Sequence, residues 1–297
     1  MKPITQTKEI KTSRDFAGRT WLYDFRLLGK VFDGKIAQKR CNKLTEKFGI
    51  LTKNWNNEKN SEWICRHYLA TKMIMSATLQ INTLEFARQC NVRLPTSYLA
   101  YYSLLSLMRA VLFTSQSQDW RDGGLIASTH SNTRNVVCEL IGSFDKKVGE
   151  NLENYITKLK AWRELISYRS PASGDPFKID IEELKYYATL LAEYAQMNSE
   201  IIENAARKNA PRVYEKIKES YFERIISVEL DGNYFFDDTD WSNLGKISIQ
   251  RPYVVNLLYL LEEGHVDDFF EPWTSPENDP EHAFNPDENW QIIFDIP

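Results

Sequence analysis

Apolar residues recur at helical spacing from about Asn60 to Glu223, with few glycines or prolines between them, and this pattern predicts a mostly α protein. From Tyr98 to Phe113 the run YLAYYSLLSLMRAVLF is apolar on nearly every face, with Arg109 its single charge, so other helices must enclose it. Pro95-Thr96-Ser97 reads as its start, a proline and two hydroxyls expected to cap it. Trp63 to Cys90 reads as an equally long helix. The short connection NVRLP makes the two antiparallel neighbours, a helical hairpin.

Gly123-Gly124 and the cap-rich STHSNT lead into a shorter helix, about Asn132 to Ile141. Leu152, Ile156, Leu159, Trp162 and Ile166 step by 4, 3, 3 and 4, which gathers them on one face of a helix ended by SPASGDP. Ile181, Leu184, Ala188, Leu191, Ala195, Asn198 and Ile202 alternate steps of 3 and 4. They predict either a long core helix with a polar seam residue or an antiparallel pair within the chain, in preference to a helical dimer contact.

The last third changes character. Ile225-Ile-Ser-Val-Glu-Leu and Lys246-Ile-Ser-Ile are β-like runs separated by DGNYFFDDTDWSN, which predicts a small strand pair. From Glu271 onward, five prolines and seven acidic residues predict an irregular tail, which Trp273, Phe284, Trp290, Ile292, Ile293 and Phe294 can pin to the surface. The resulting division is a basic N-terminal extension (1–59), a helical bundle (60–224) and a small α+β extension with an acidic tail (225–297).

Hydrophobic residues at 42% exclude disorder throughout the 297 residues, and no apolar run approaches the ~18 residues of a membrane span. MKPITQTKEIKTSRD lacks the apolar core of a secretory signal, so a soluble, cytoplasmic protein is expected. Cys41, Cys65, Cys90 and Cys138 form no CxxC pair and predict reduced, packed thiols. Charge is strongly asymmetric: residues 1–72 hold 16 Lys/Arg against 7 Asp/Glu, and residues 252–297 hold 11 Asp/Glu and no Lys or Arg. Either the basic end meets nucleic acid and the acidic end regulates it, or the two ends neutralise each other across one folded surface.

Glycine-rich phosphate loops, GxSxG and HExxH are all missing, which disfavours most large enzyme classes. Four histidines leave few general bases or metal ligands. Glu262-Glu263-Gly-His265-Val-Asp267-Asp268 has the ligand types of a divalent-metal site, but its spacing fits a solvated acidic helix end better. Neither a metal nor a cofactor is expected.

More informative is the succession AYYSLLSLMRAVLF, THSNTRNVVCELIG and AWRELISYRSP, which covers about residues 65–170. In this order it resembles the HEPN superfamily, helical bundles associated with RNA and nucleotides in prokaryotic defence and toxin–antitoxin systems. The matching parts are Ala100-Tyr101-Tyr102 through Leu112, then Thr129-His130-Ser131, then Arg163 onward. The resemblance implies a metal-independent endoribonuclease motif on the last helix, in which an Arg holds phosphate and a His moves a proton, often with two subunits facing each other. Here the motif reads Arg163-Glu164-Leu-Ile-Ser-Tyr168, with Tyr168 where the family has histidine. A tyrosine, with its reference pKa of ~10, shuttles protons poorly near neutrality, so binding is expected over cutting.

Two functions follow as expectations. In the first, the chain binds RNA or nucleotide, with Arg163, Tyr168 and His130 as any catalytic set and Arg134 as a second anion contact. Trp21, Arg26, Lys39 and Arg40 belong to the basic segment, where Trp21, Tyr23, Phe25 and Trp55 are placed to stack on bases. In the second, it is a non-enzymatic helical module that binds another protein, encoded nearby, through its acidic end. Structural roles compete at each residue: Arg163 and Tyr168 can tie the helix end to SPASGDP, His130 can belong to a helix cap, and Arg109 can pair with Glu139 or Glu164.

Overall fold

The computed structural model describes residues 14–174, 178–210, 217–261, 263–275 and 283–294, and among these the chain is mainly helical with two small antiparallel strand pairs. It enters through β1 (Asp15–Phe16) and β2 (Arg19–Thr20), then α1 (Arg26–Val31) and α2 (Gly34–Thr52). Asp33 starts α2 by accepting the Lys35 and Ile36 amides, each at 3.0 Å, so two otherwise orphaned donors are satisfied.

The predicted hairpin is α3 (Asn57–Gln89) with α4 (Thr96–Thr114). Asn56 caps α3 through the Lys59 amide at 2.9 Å. The hydroxyls expected to cap α4 do not: Thr96 turns back to the Arg93 carbonyl (2.7 Å), and the Ser97 hydroxyl is buried without a partner. Pro95 alone marks the start. As its all-round apolarity requires, α4 packs on α3, on α5 (His130–Gly142), on α6 (Lys146–Arg169) and on α7 (Ile181–Asn209). Where α5 meets α6 the backbones nearly touch. A Cβ on Gly149 would lie 2.6 Å from the Gly142 Cα and 2.9 Å from the Cys138 carbonyl, so only glycine permits the approach.

The 3-and-4 stripe of α7 belongs to one long core helix. Beside that stripe runs a row of buried polar side chains that holds both ends of the chain. Glu193 accepts the Leu27 and Leu28 amides, and Glu200 accepts those of Leu22 and Tyr23. From the other end, Glu203 accepts from Asn256, Ser199 from Leu257 and Gln196 from Leu258. Each acceptor meets a backbone or amide group that burial would otherwise leave unpaired.

After α8 (Glu219–Ile226), the strand pair is present with a different second strand: β3 (Ser227–Leu230) pairs with β4 (Asn233–Phe236). Lys246-Ile-Ser-Ile is helical, inside α9 (Asp238–Gln250). Asp231-Gly232, both at positive φ, makes a two-residue hairpin turn, which pairs the residues that flank it instead of a distant run. Asp237 then caps α9 by accepting the Asp240 amide.

Downstream lie α10 (Leu257–Leu260) and α11 (Glu263–Phe270). Ile293 and Phe294 are buried, and Phe284 packs on Phe86, so these parts of the tail are pinned. Trp273 is exposed. Residues 276–282 and 295–297 of the tail, Glu262 of the acidic run, and the last two residues of SPASGDP, 175 and 176, lie outside the described residues. No described helix is long and apolar enough to cross a membrane.

Candidate functional site

The N-terminal aromatic residues are not a stacking platform. Trp21, Tyr23, Phe25 and Trp55 are only 6%, 4%, 4% and 7% exposed. Trp21 packs on Phe16 and Phe25 and donates its indole N–H to the Phe16 carbonyl, while Tyr23 stacks on Phe294 at 4.7 Å. Aromatic side chains interleaved with cations look alike in sequence whether they serve a core or a ligand, and here the core takes them. Arg26 pairs with Asp24 at 2.9 Å. On α2, Lys39 is exposed, and Arg40 is half-buried at the edge of a cavity.

A different constellation assembles where α4, α5 and α6 meet. Tyr102 and Arg109 lie seven apart on α4, about 20° from each other around an ideal helix, so both face this junction. His130 is the first residue of α5. Thr129, not His130, caps that helix by accepting the Asn132 amide, which leaves the imidazole free to turn toward α4. Its Nδ1 lies 3.1 Å from the Tyr101 hydroxyl, and its ring meets the edge of Tyr102.

From α6, the Arg163 guanidinium lies over the rings of Tyr101 (5.0 Å) and Tyr102 (5.9 Å). It donates to the Tyr102 hydroxyl at 3.1 Å and to Glu164 at 3.2 Å. The sequence-predicted site residues His130 and Arg163 are therefore brought together through two tyrosines. Tyr168 is not. The helix continues to Arg169, which keeps Tyr168 about 140° from Arg163 around the axis, and its side chain is 78% exposed. Arg163 turns away from the SPASGDP end, toward α4. Arg134, one turn after His130, bonds to Asn135 and is close enough to Tyr101 to act on its ionisation.

The electrostatics of the junction are one-sided. Burial pushes the Tyr101 phenol up, so it stays protonated and can donate. Burial first, then the cations Arg109, Arg163 and Lys160, push His130 down, so the ring is neutral near pH 7. When Tyr101 donates to Nδ1, the ring proton sits on Nε2, and His130 then offers a donor instead of a base. Arg109 makes neither a hydrogen bond nor an ion pair among the described residues. The expected partners Glu139 and Glu164 do not meet it. Its Nε, like that of Arg163, is buried with no acceptor. Two buried guanidinium Nε donors thus lie without acceptors near His130, and an anion has the chemistry to satisfy them.

Tyr101 and Tyr102 have a role that sequence reading missed, although both stand in the alanine- and tyrosine-rich run. The seven-residue spacing of Tyr102 and Arg109, and the three-residue spacing of Lys160 and Arg163, were the signals that could have found it. No family model, curated protein or solved structure matches the chain.

Proposed function

We propose that this is a HEPN-like protein of a prokaryotic defence or toxin–antitoxin system that binds RNA or a nucleotide through phosphate at the α4–α5–α6 junction, without cleaving it. The observation that carries this reading is the pair of buried, acceptor-less guanidinium nitrogens of Arg109 and Arg163 beside His130. A phosphate oxygen supplies the acceptor each lacks, and charge-assisted bonds of this kind are the strong ones. Binding is favoured over cleavage because the Tyr101 hydroxyl engages the His130 Nδ1 and Tyr168 stands away from Arg163.

Salt-dependent binding to single-stranded RNA tests it. The expected result is affinity that falls with salt, with Arg163→Ala and Arg109→Ala each weakening binding and lowering the salt slope by about one phosphate contact. Unchanged affinity in both variants, with both folded, overturns the site.

One observation favours the second reading, a non-enzymatic protein partner. Val228, Leu230, Tyr234, Phe235 and Phe236 of the β3–β4 hairpin are all about half exposed or more. Co-expression with the products of adjacent genes tests it: a complex that Phe235→Ser abolishes and Arg163→Ala spares would favour the partner reading.

A further inference from the structure

A half-enclosed cavity of about 360 Å³ lies between α2 and α5, at the lower end of the ~300–1,000 Å³ that small-molecule pockets occupy. One wall is basic. Arg40, Lys43 and Lys47 sit at i, i+3 and i+7 on one face of α2, and none of the three is ion-paired among the described residues. Glu139 is the single carboxylate that lines the cavity, so the local excess is two positive charges.

The opposite wall is the loop Gln116-Ser117-Gln118, whose shape is held from within. Arg66, fully buried, donates to the carbonyls of Phe113, Ser115 and Gln118, is neutralised by Glu62, and stacks on Trp63 at 3.9 Å. A guanidinium that ties two loop carbonyls to the end of α4 holds the wall in one conformation before any ligand arrives. Gln116, which makes no hydrogen bond among the described residues, contributes an amide that can both donate and accept. The floor is apolar, made by Leu44, Val136, Leu140 and Phe144.

We infer that this cavity binds a nucleoside monophosphate, or a phosphomonoester of like size with a flat apolar body. A phosphomonoester carries about −1.5 to −2 charges near pH 7, which matches the local excess. The apolar floor takes the ring, and Gln116 and Glu139 face its polar edge. Longer RNA is disfavoured by the enclosure. This site is independent of the α4–α5–α6 junction: Val136, Glu139, Leu140 and Ser143 project from α5 roughly 150° away from His130 and Arg134 on ideal helical geometry.

Calorimetric titration of the full chain with the four ribonucleoside 5′-monophosphates, with adenosine and with inorganic phosphate tests the inference. At least one monophosphate should bind more tightly than about 1 mM, and both adenosine and inorganic phosphate at least about tenfold more weakly. Lys43→Gln/Lys47→Gln changes two exposed side chains, so it should melt as the parent does and lose about tenfold in affinity, whereas Lys35→Gln, an exposed α2 lysine that does not line the cavity, should bind as the parent does. If no monophosphate binds, the inference fails. It fails equally if inorganic phosphate binds as well as the monophosphates, or if only an RNA oligomer binds. Should Arg163→Ala lose the binding while the double lysine variant keeps it, the ligand belongs to the other site and this one is overturned.

Discussion

Arg109 illustrates how a binding residue weighs on the fold that carries it. Its guanidinium is half-buried in an otherwise apolar helix, and burial lowers its pKa without any carboxylate nearby to oppose the loss of hydration. Replacing such a group with an apolar side chain of similar length often stabilises a protein by about 1 kcal/mol or more. Arg109→Met is therefore expected to raise the midpoint of thermal unfolding while it weakens RNA binding. A variant that lost stability and affinity together would mark Arg109 as structural. Glu193 is the counterpart at which charge works against the fold. Burial pushes its carboxyl up to about 7, opposed by the Leu28 and Leu27 amides it accepts. Because the folded state binds this proton more tightly than the unfolded state, its contribution is complete below pH ~4.5 and is lost as pH rises through ~7, at a cost of about 3 kcal/mol. Urea unfolding across that range should show stability falling with pH, and Glu193→Gln, neutral throughout, should flatten the slope.

At the scale of elements, the contact between α5 and α6 decides whether His130 and Arg163 can meet. The two helices approach so closely at Gly142 and Gly149 that an added methyl at Gly149 meets backbone, which cannot yield as the end of a side chain does. Gly149→Ala should force the helices apart at a cost of about 1–3 kcal/mol, and should also weaken RNA binding, since His130 begins α5 and Arg163 lies on α6. Circular dichroism melts and RNA titrations of the same preparation check it; a variant with unchanged melting would show that the helices slide at no cost. This glycine contact was invisible in the sequence, because nothing in a single glycine says what backbone faces it. The helices themselves were legible, since α6 and α7 carry periodic stripes and α4 is an unbroken apolar run with α3 as its hairpin partner. The strand pair was half legible: Ile225-Ile-Ser-Val-Glu-Leu contained β3, but the Asp231-Gly232 turn was read as part of a long loop, and Lys246-Ile-Ser-Ile went to a helix. For the site, Arg163 and His130 could be named from their order along the chain, whereas their separation from Tyr168 follows only from α6 remaining helical to Arg169.

For the whole molecule, the opposite charges at the two ends of the chain raise the question of whether those ends are appendages or parts of one folding unit. The first 72 residues meet the last 46 through rings and hydrogen bonds: Tyr23 stacks on Phe294, the Asn60 amide donates to the Pro252 carbonyl, and His67 bonds to the Val255 carbonyl at 2.6 Å. Both ends are in turn held by acceptors on α7, Glu193 and Glu200 on one side and Ser199 and Glu203 on the other. Removing either end would expose this buried row to water and leave the amides on the retained side with fewer neighbours. The buried residues of both ends also belong to the same apolar core as α3, α4 and α7. Denaturant unfolding should accordingly be one cooperative transition, with tryptophan fluorescence and far-UV ellipticity coincident. The probe suits the question because Trp21 and Trp55 report on the basic end, Trp63 and Trp120 on the bundle and Trp290 on the tail. Two separated transitions, or a 60–224 fragment as stable as the full chain, would show that the basic and acidic ends are independent of the bundle and that the glutamates of α7 do not couple them.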